Sequence, residues 1–244
     1  MNSNYNSLAA KLQQRFSRGV SYLVSYTYSK SIDDGSAVRP HGGDQAFPQN
    51  PYNLRAERGL SEFDQRHRLV TSALWDLPTG KGRQWLNEGG PFAYILGGWQ
   101  LGGIFTAQSG LPFSPASGAD VANIAWAEQR PNYTGAPIVP PGGRTTNQWF
   151  NKVAFAIPPA FTFGNAGRDI LLGPRLFSVD FSATKQFLMP WEGHQLQLRF
   201  EAFNLLNHPN FGFPSATITD TAFGRISSTA TDMRQIQFAL KYTF

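Results

Sequence analysis

Cysteine is absent from the 244-residue chain. That excludes a disulfide scaffold, a cysteine nucleophile and a thiolate metal site. Charge is sparse as well: Asp, Glu, Lys and Arg make up 15% of residues, against about 25% in an average soluble protein. Long apolar runs are missing. No stretch approaches the ~18 residues of a membrane-spanning helix, and the longest candidate, Phe92 to Trp99, is broken by a Gly pair. A sustained 3.6-residue period is also lacking. Asn2 to Ser7 show neither the basic nor the apolar region of a secretory leader, so the chain reads as starting inside structure. Aromatic residues, by contrast, are plentiful at 14%. So many rings with so few charges exclude a disordered chain. The 24 Gly and 17 Pro point to frequent turns.

What fills the chain is alternation, the mark of strands whose successive side chains point to opposite faces. Ile236, Phe238, Leu240, Tyr242 and Phe244 alternate with Gln235, Gln237, Ala239, Lys241 and Thr243. Leu196, Leu198, Phe200 and Ala202 alternate with Gln195, Gln197, Arg199 and Glu201. Phe177, Val179, Phe181 and Ala183 do so with Ser178, Asp180, Ser182 and Thr184. The same period runs through Tyr22, Val24, Tyr26 and Tyr28, through Leu69, Ala73, Trp75 and Leu77, and through Trp99, Leu101, Phe105 and Ala107. Leu8, Ala10, Leu12 and Phe16 form a weaker case. Seven strands are expected, near 4–16, 20–31, 63–77, 95–108, 175–188, 194–207 and 232–244.

Most of these segments exceed the usual strand of about 5–6 residues and reach the ~9–11 that a tilted strand needs to cross a bilayer core. Their connections alternate in size. Residues 17–19, 78–94 and 189–193 are the shorter set, and 32–62, 109–174 and 208–231 are long. Short turns on one side and long loops on the other are the plan of an outer-membrane barrel. A compact soluble domain rarely carries a structureless loop above ~15 residues. Tyr26, Tyr28, Trp75, Trp99, Trp191, Tyr242 and Phe244 fall near strand ends or turns, where rings of an interfacial girdle sit. Ordinary core aromatics are the other reading of them. The fold class expected is all-β: an antiparallel transmembrane β-barrel wall.

Several passages resemble one family. Arg199-Phe-Glu-Ala-Phe-Asn-Leu-Leu-Asn-His-Pro-Asn-Phe211 is similar to the penultimate-strand signature of TonB-dependent outer-membrane receptors, especially the Oar-like group. Arg234 to Phe244 resembles the terminal strand of the same receptors, which finishes on an aromatic residue. Tyr26 to Asp34, Phe63 to Arg68, Gly98-Trp-Gln-Leu101, Ser109 to Phe113 and Gly164 to Asp169 also fit. The resemblance implies a 22-stranded barrel around a plug, with an N-terminal energy-coupling box. Neither plug nor box is recognised in this sequence. Residues 1–244 are therefore read as a partial barrel domain, the C-terminal seven or eight strands of a receptor. The odd count of seven agrees, since single-chain bacterial barrels have even numbers.

By the same resemblance the function expected is uptake of a bulky nutrient, a metal chelate or an oligosaccharide, across the cell outer membrane. TonB would be reached only through N-terminal parts outside this sequence. Tyr242 and Phe244 would signal to the barrel-assembly machinery. Two alternatives stay open: an adhesion or porin-like structural barrel, and a soluble secreted carbohydrate-binding module.

Chemistry is otherwise quiet. No phosphate loop, His-Glu-x-x-His or Gly-x-Ser-x-Gly occurs. His41, His67, His194 and His208 have no metal-ligand spacing. No catalytic residue, cofactor or metal is expected. The net charge of +5 comes without Lys or Arg runs, so nucleic acid is not an expected partner. Asp180, Arg199, Glu201 and Lys241 lie on the polar parity and are candidate lumen residues. Lys30, Arg66, Arg68, Arg175 and Arg234 fall at the long-loop ends of strands. There they would form a rim able to meet lipopolysaccharide phosphates, or a plain solvated rim. Trp126, Trp149 and Phe150, with Tyr133, lie in the longest loop. Such rings can grip a ligand or cap the barrel mouth, and capping is the better account.

Overall fold

The computed structural model describes residues 2–36, 47–125, 129–189, 191 and 193–244. Seven strands build one wall: β1 (Ser3–Ser17), β2 (Val20–Asp33), β3 (His67–Asp76), β4 (Trp99–Gln108), β5 (Leu176–Leu188), β6 (Gln195–Phe203) and β7 (Gln235–Thr243). Each pairs antiparallel with its neighbours in chain order. The seven expected strands are thus all present, each within a few residues of its expected bounds. Three ends differ most. The strand expected from residue 63 starts at His67, the one expected from residue 95 starts at Trp99, and the one expected to reach 207 stops at Phe203.

The register keeps the two parities apart across every seam. Phe200 stands between Ala183 and Phe238, and Leu69 between Tyr26 and Ala107. A one-residue slip would send each apolar side chain to the polar face, so the pattern itself fixes the pairing. Most of the apolar face has no protein cover among the described residues. Phe238 is 74% exposed, and Leu8, Leu12 and Leu240 are exposed with it. A soluble sandwich would bury these side chains beneath a second sheet, and that alternative fails here.

The turn between β1 and β2 shows why the chain reverses where it does. Arg18 and Gly19 take φ of 53° and 81°, the left-handed pair of a two-residue hairpin. A Cβ at Gly19 would lie 3.0 Å from the Asp76 carbonyl oxygen, so Gly19 also admits the β3 end. The other two connections at this end are 77–98 and 189–194. The first contains a short helix, α1 (Pro91–Leu96), which a reading by strand period does not expect. α1 packs on the apolar parity: the Tyr94 and Phe187 rings are 5.7 Å apart. Lys185, on that same parity, donates through Nζ to the carbonyl oxygens of Tyr94 (2.8 Å) and Gly97. It therefore caps the C-terminal carbonyls that a helix leaves unpaired.

Rings mark two levels on the apolar face. Trp75 pairs with Val20 at the short-turn end, and His67 pairs with Tyr28 at the other, eight residues away along β2. At ~3.4 Å per residue and a tilt near 40° this is about 20 Å of height, close to the ~25 Å apolar band of a membrane barrel. Trp99, Trp191 and Tyr242 belong to the lower level, Tyr26 to the upper.

Buried apolar side chains gather away from the wall. Phe113, Phe150, Ala154, Phe155, Ala166, Leu171, Ala216 and Phe223 form one cluster, all from the two C-terminal long loops.

Candidate functional site

The three long connections fold together into a cap at one end of the wall. Two-residue strands tie the longest loop to itself, Pro112–Phe113 to Leu171–Leu172 and Asn132–Tyr133 to Phe155–Ala156. Backbone bonds tie it to the last loop: Ala116 N–H donates to the Ala216 carbonyl (2.9 Å), and Trp149 N–H to that of Gly224 (2.8 Å). Glycines let the strands of the cap approach. A Cβ at Gly164 would fall 1.9 Å from the Arg130 carbonyl oxygen, and one at Gly110 1.9 Å from that of Gly173.

Two buried arginines join the first loop to the second. Arg130 Nη1 lies 2.5 Å from Glu57 Oε2, and its Nη2 lies 3.0 Å from Glu57 Oε1. Both residues are at most 2% exposed. Arg130 Nε donates to the Ala166 carbonyl at 2.8 Å. This planar fork against a carboxylate suits arginine and not lysine. Arg168 Nε donates to the Glu57 carbonyl at 2.8 Å, and its Nη2 reaches both the carbonyl and the carboxylate of Asp33. Asp169 completes this group, with Oδ2 3.2 Å from Arg168 Nη1. Removing one member of such a pair strands a charge out of water, which is the costly change.

The cap lies over the polar face of the wall. Ser29, Ser31 and Asp33, all of the polar parity of β2, are buried beneath it. Ser31 N–H donates to Asp64 Oδ1 at 2.6 Å, and Ser61 Oγ to Ser31 Oγ at 2.7 Å. Tyr28 and Lys30 on the other parity stay exposed.

The candidate lumen residues share the polar parity but do not form one cluster. Asp180 Oδ1 accepts from Asn204 N–H at 2.8 Å and so anchors the turn that ends β6. Arg199 and Glu201 face each other along β6 at 3.7 Å, partly exposed, and Glu201 accepts across the seam from Gln237 Nε2. Lys241 stands opposite Gln197. Partly exposed pairs of this kind contribute little, about 0–1 kcal/mol.

Of the loop aromatics, Phe150 is a core residue at 2% exposure, its ring 5.0 Å from Phe223 and 5.8 Å from Phe155. It is unavailable to a ligand. Trp149 is half-buried, and its Nε1 donates to the Leu172 carbonyl at 2.7 Å. Tyr133 donates to the Ala136 carbonyl. Phe150, Trp149 and Tyr133 are thus held within the folded loops; Trp126 lies outside the described residues.

All five rim cations sit at the loop end of their strands, but they do not act as one row. Arg66 and Arg175 line a recess of about 720 Å³. Arg144, His67, His208 and Trp149 line it too, and sequence reasoning did not single out Arg144. Lys30 lies in β2, Arg68 in β3, and Arg234 Nη1 donates to the Leu205 carbonyl. The residues at its wall edge touch apolar-parity rings. His67 Nδ1 is hydrogen-bonded to the Tyr26 hydroxyl at 2.9 Å, Arg66 lies over Tyr28, and His208 packs edge-on against Phe177. Arg144 stacks on Trp149 at 5.3 Å. Burial, and after it the charge of Arg175, pull the Arg144 guanidinium below its ordinary range.

Among the described residues no group of His, Asp or Glu is placed to hold a metal ion. Residues 1–237 match the family model described as "Outer membrane beta barrel domain". No curated protein and no solved structure matches the chain.

Proposed function

Because this chain belongs to the outer membrane beta barrel domain family and resides in the outer membrane, we propose that it forms part of the wall of a TonB-dependent receptor, with its apolar parity against lipid and its polar parity toward the lumen. The observation that carries the reading is the cap. Three long connections fold together, the first two joined by buried Arg130 and Arg168, and cover the loop end of the polar face of β2. Long connections folded inward over the lumen-side parity suit gated, energised passage better than free diffusion. The passages around Arg199 to Phe211 and Arg234 to Phe244 support the same reading through their resemblance to these receptors. The cargo would be a bulky metal chelate or oligosaccharide, and no chemistry on it is proposed.

β1 and β7 each have one partner strand, and unpaired backbone in hydrocarbon costs several kcal/mol per group. Further strands of a larger barrel would complete both edges. Phe244, 88% exposed beside Tyr242, is free to meet the assembly machinery.

The test is uptake by cells that make the whole receptor. Uptake of the ferric chelate or oligosaccharide that supports their growth should fall to background when an uncoupler collapses the proton gradient or TonB is deleted. Undiminished uptake in both conditions would refute the receptor reading and leave a passive pore.

A further inference from the structure

The recess at the outer end of β3, β4 and β5 has a charge arrangement that the wall does not need. Three arginines, Arg66, Arg144 and Arg175, converge on it from three different segments. Among the described residues that line it, the one carboxylate is Asp64. That group already accepts from Ser31 N–H at 2.6 Å and faces Arg66 at 3.4 Å. Arg144 and Arg175 are close enough to repel each other. Like charges held together in a partly dehydrated recess are unfavourable unless an anion joins them.

The shape adds a second requirement. Trp149, stacked by Arg144, and Phe211 give the recess flat apolar surfaces beside its donors. Its volume lies within the ~300–1,000 Å³ of small-molecule sites. Guanidinium forks bind phosphate oxygens in pairs, and aromatic faces pack against sugar rings. Position selects the source. The residues at its wall edge contact Tyr26, Tyr28 and Phe177, which belong to the apolar parity at the upper ring level. Those contacts put the wall edge of the recess at headgroup depth and on the apolar parity.

We propose that this recess binds a phosphate-bearing saccharide, the phosphorylated headgroup of the outer-leaflet glycolipid, through Arg144, Arg175 and Arg66 with Trp149 against the sugar. The proposal rests on the reading that the apolar parity faces lipid; it does not depend on transport or on TonB.

The experiment uses the protein purified from outer membranes in mild detergent. Binding of three probes is measured by native mass spectrometry: phosphorylated lipopolysaccharide lipid, the same lipid after dephosphorylation, and water-soluble glucosamine 6-phosphate. The phosphorylated lipid should stay bound one to one, and the dephosphorylated lipid should bind at least tenfold more weakly. Arg144→Gln and Arg175→Gln should each weaken the phosphorylated lipid roughly tenfold or more, as loss of a charge-assisted bond requires. Arg144→Lys should fall between, because it keeps the charge and loses the fork. A gel-mobility shift on heating reports that each variant is folded. Equal binding of both lipids overturns the proposal, and that comparison needs no variant. Binding of the soluble sugar phosphate as tightly as the lipid overturns the glycolipid as the source. Unchanged binding in both Gln variants overturns the site. A failure of energised uptake would leave all these outcomes as they stand.

Discussion

Glu57→Ala is expected to destabilise the cap by roughly 3–5 kcal/mol, the cost of stranding a buried charge. The carboxylate it removes holds both terminal nitrogens of Arg130, while the backbone carbonyl of the same residue holds Arg168. The loss therefore leaves a guanidinium at 1% exposure without its anion. The effect should be local. Hydrogen exchange should quicken at the cap amides of Ala116, Trp149 and Ala166, which now donate to cap carbonyls. Amides of the β5–β6 seam should keep their protection. Replacing both partners, Glu57→Met with Arg130→Met, should recover much of the loss, since an apolar pair has no charge to strand. Unchanged exchange in Glu57→Ala would mean that the cap is held by its phenylalanine cluster alone.

Phe200→Lys should cost about 2–4 kcal/mol, the penalty for a lysine near the middle of a lipid-facing wall. Phe200 stands in the centre of β6, its ring 5.3 Å from Phe238 and 6.3 Å from Phe181. Gln197→Lys puts the same charge on the opposite face. It meets Lys241 across the seam, so a penalty below about 1 kcal/mol is expected from like charges placed opposite each other. Urea titrations in lipid vesicles compare the two. Equal penalties would contradict the facing assigned to the wall.

The wall was legible in the sequence because period two leaves little choice. Each of the seven strands carries at least four residues of one apolar parity, and the register follows from keeping that parity on one face. The first residues of the strand expected at 95 were misread for a local reason. Pro91 to Leu96 is an apolar run of six between glycine pairs, too short for a 3.6 period to show. Its cap came from Lys185, on another strand. The loop cluster was illegible for the opposite reason. Phe113, Phe150, Phe155 and Phe223 have no common period and meet only when distant segments pack. Glu57 and Arg130 are 73 residues apart, so nothing local marks them as a pair. For the rim cations, strand ends predicted the level of Arg66 and Arg175. That Arg144 joins them depends on how the longest loop turns back, which charge spacing does not encode.

The most direct test of the account is which medium each face of β6 and β7 meets. The absence of cysteine from the chain allows single Cys substitutions to be spin-labelled without background. Labels at residues 196–201 and 237–240 would be read in lipid vesicles for collision with oxygen, which concentrates in hydrocarbon, and with a water-soluble nickel chelate. Oxygen access should peak at 196, 198, 200, 238 and 240, and chelate access at 197, 199, 201, 237 and 239. Access that does not alternate, or that alternates with the two quenchers exchanged, would contradict it.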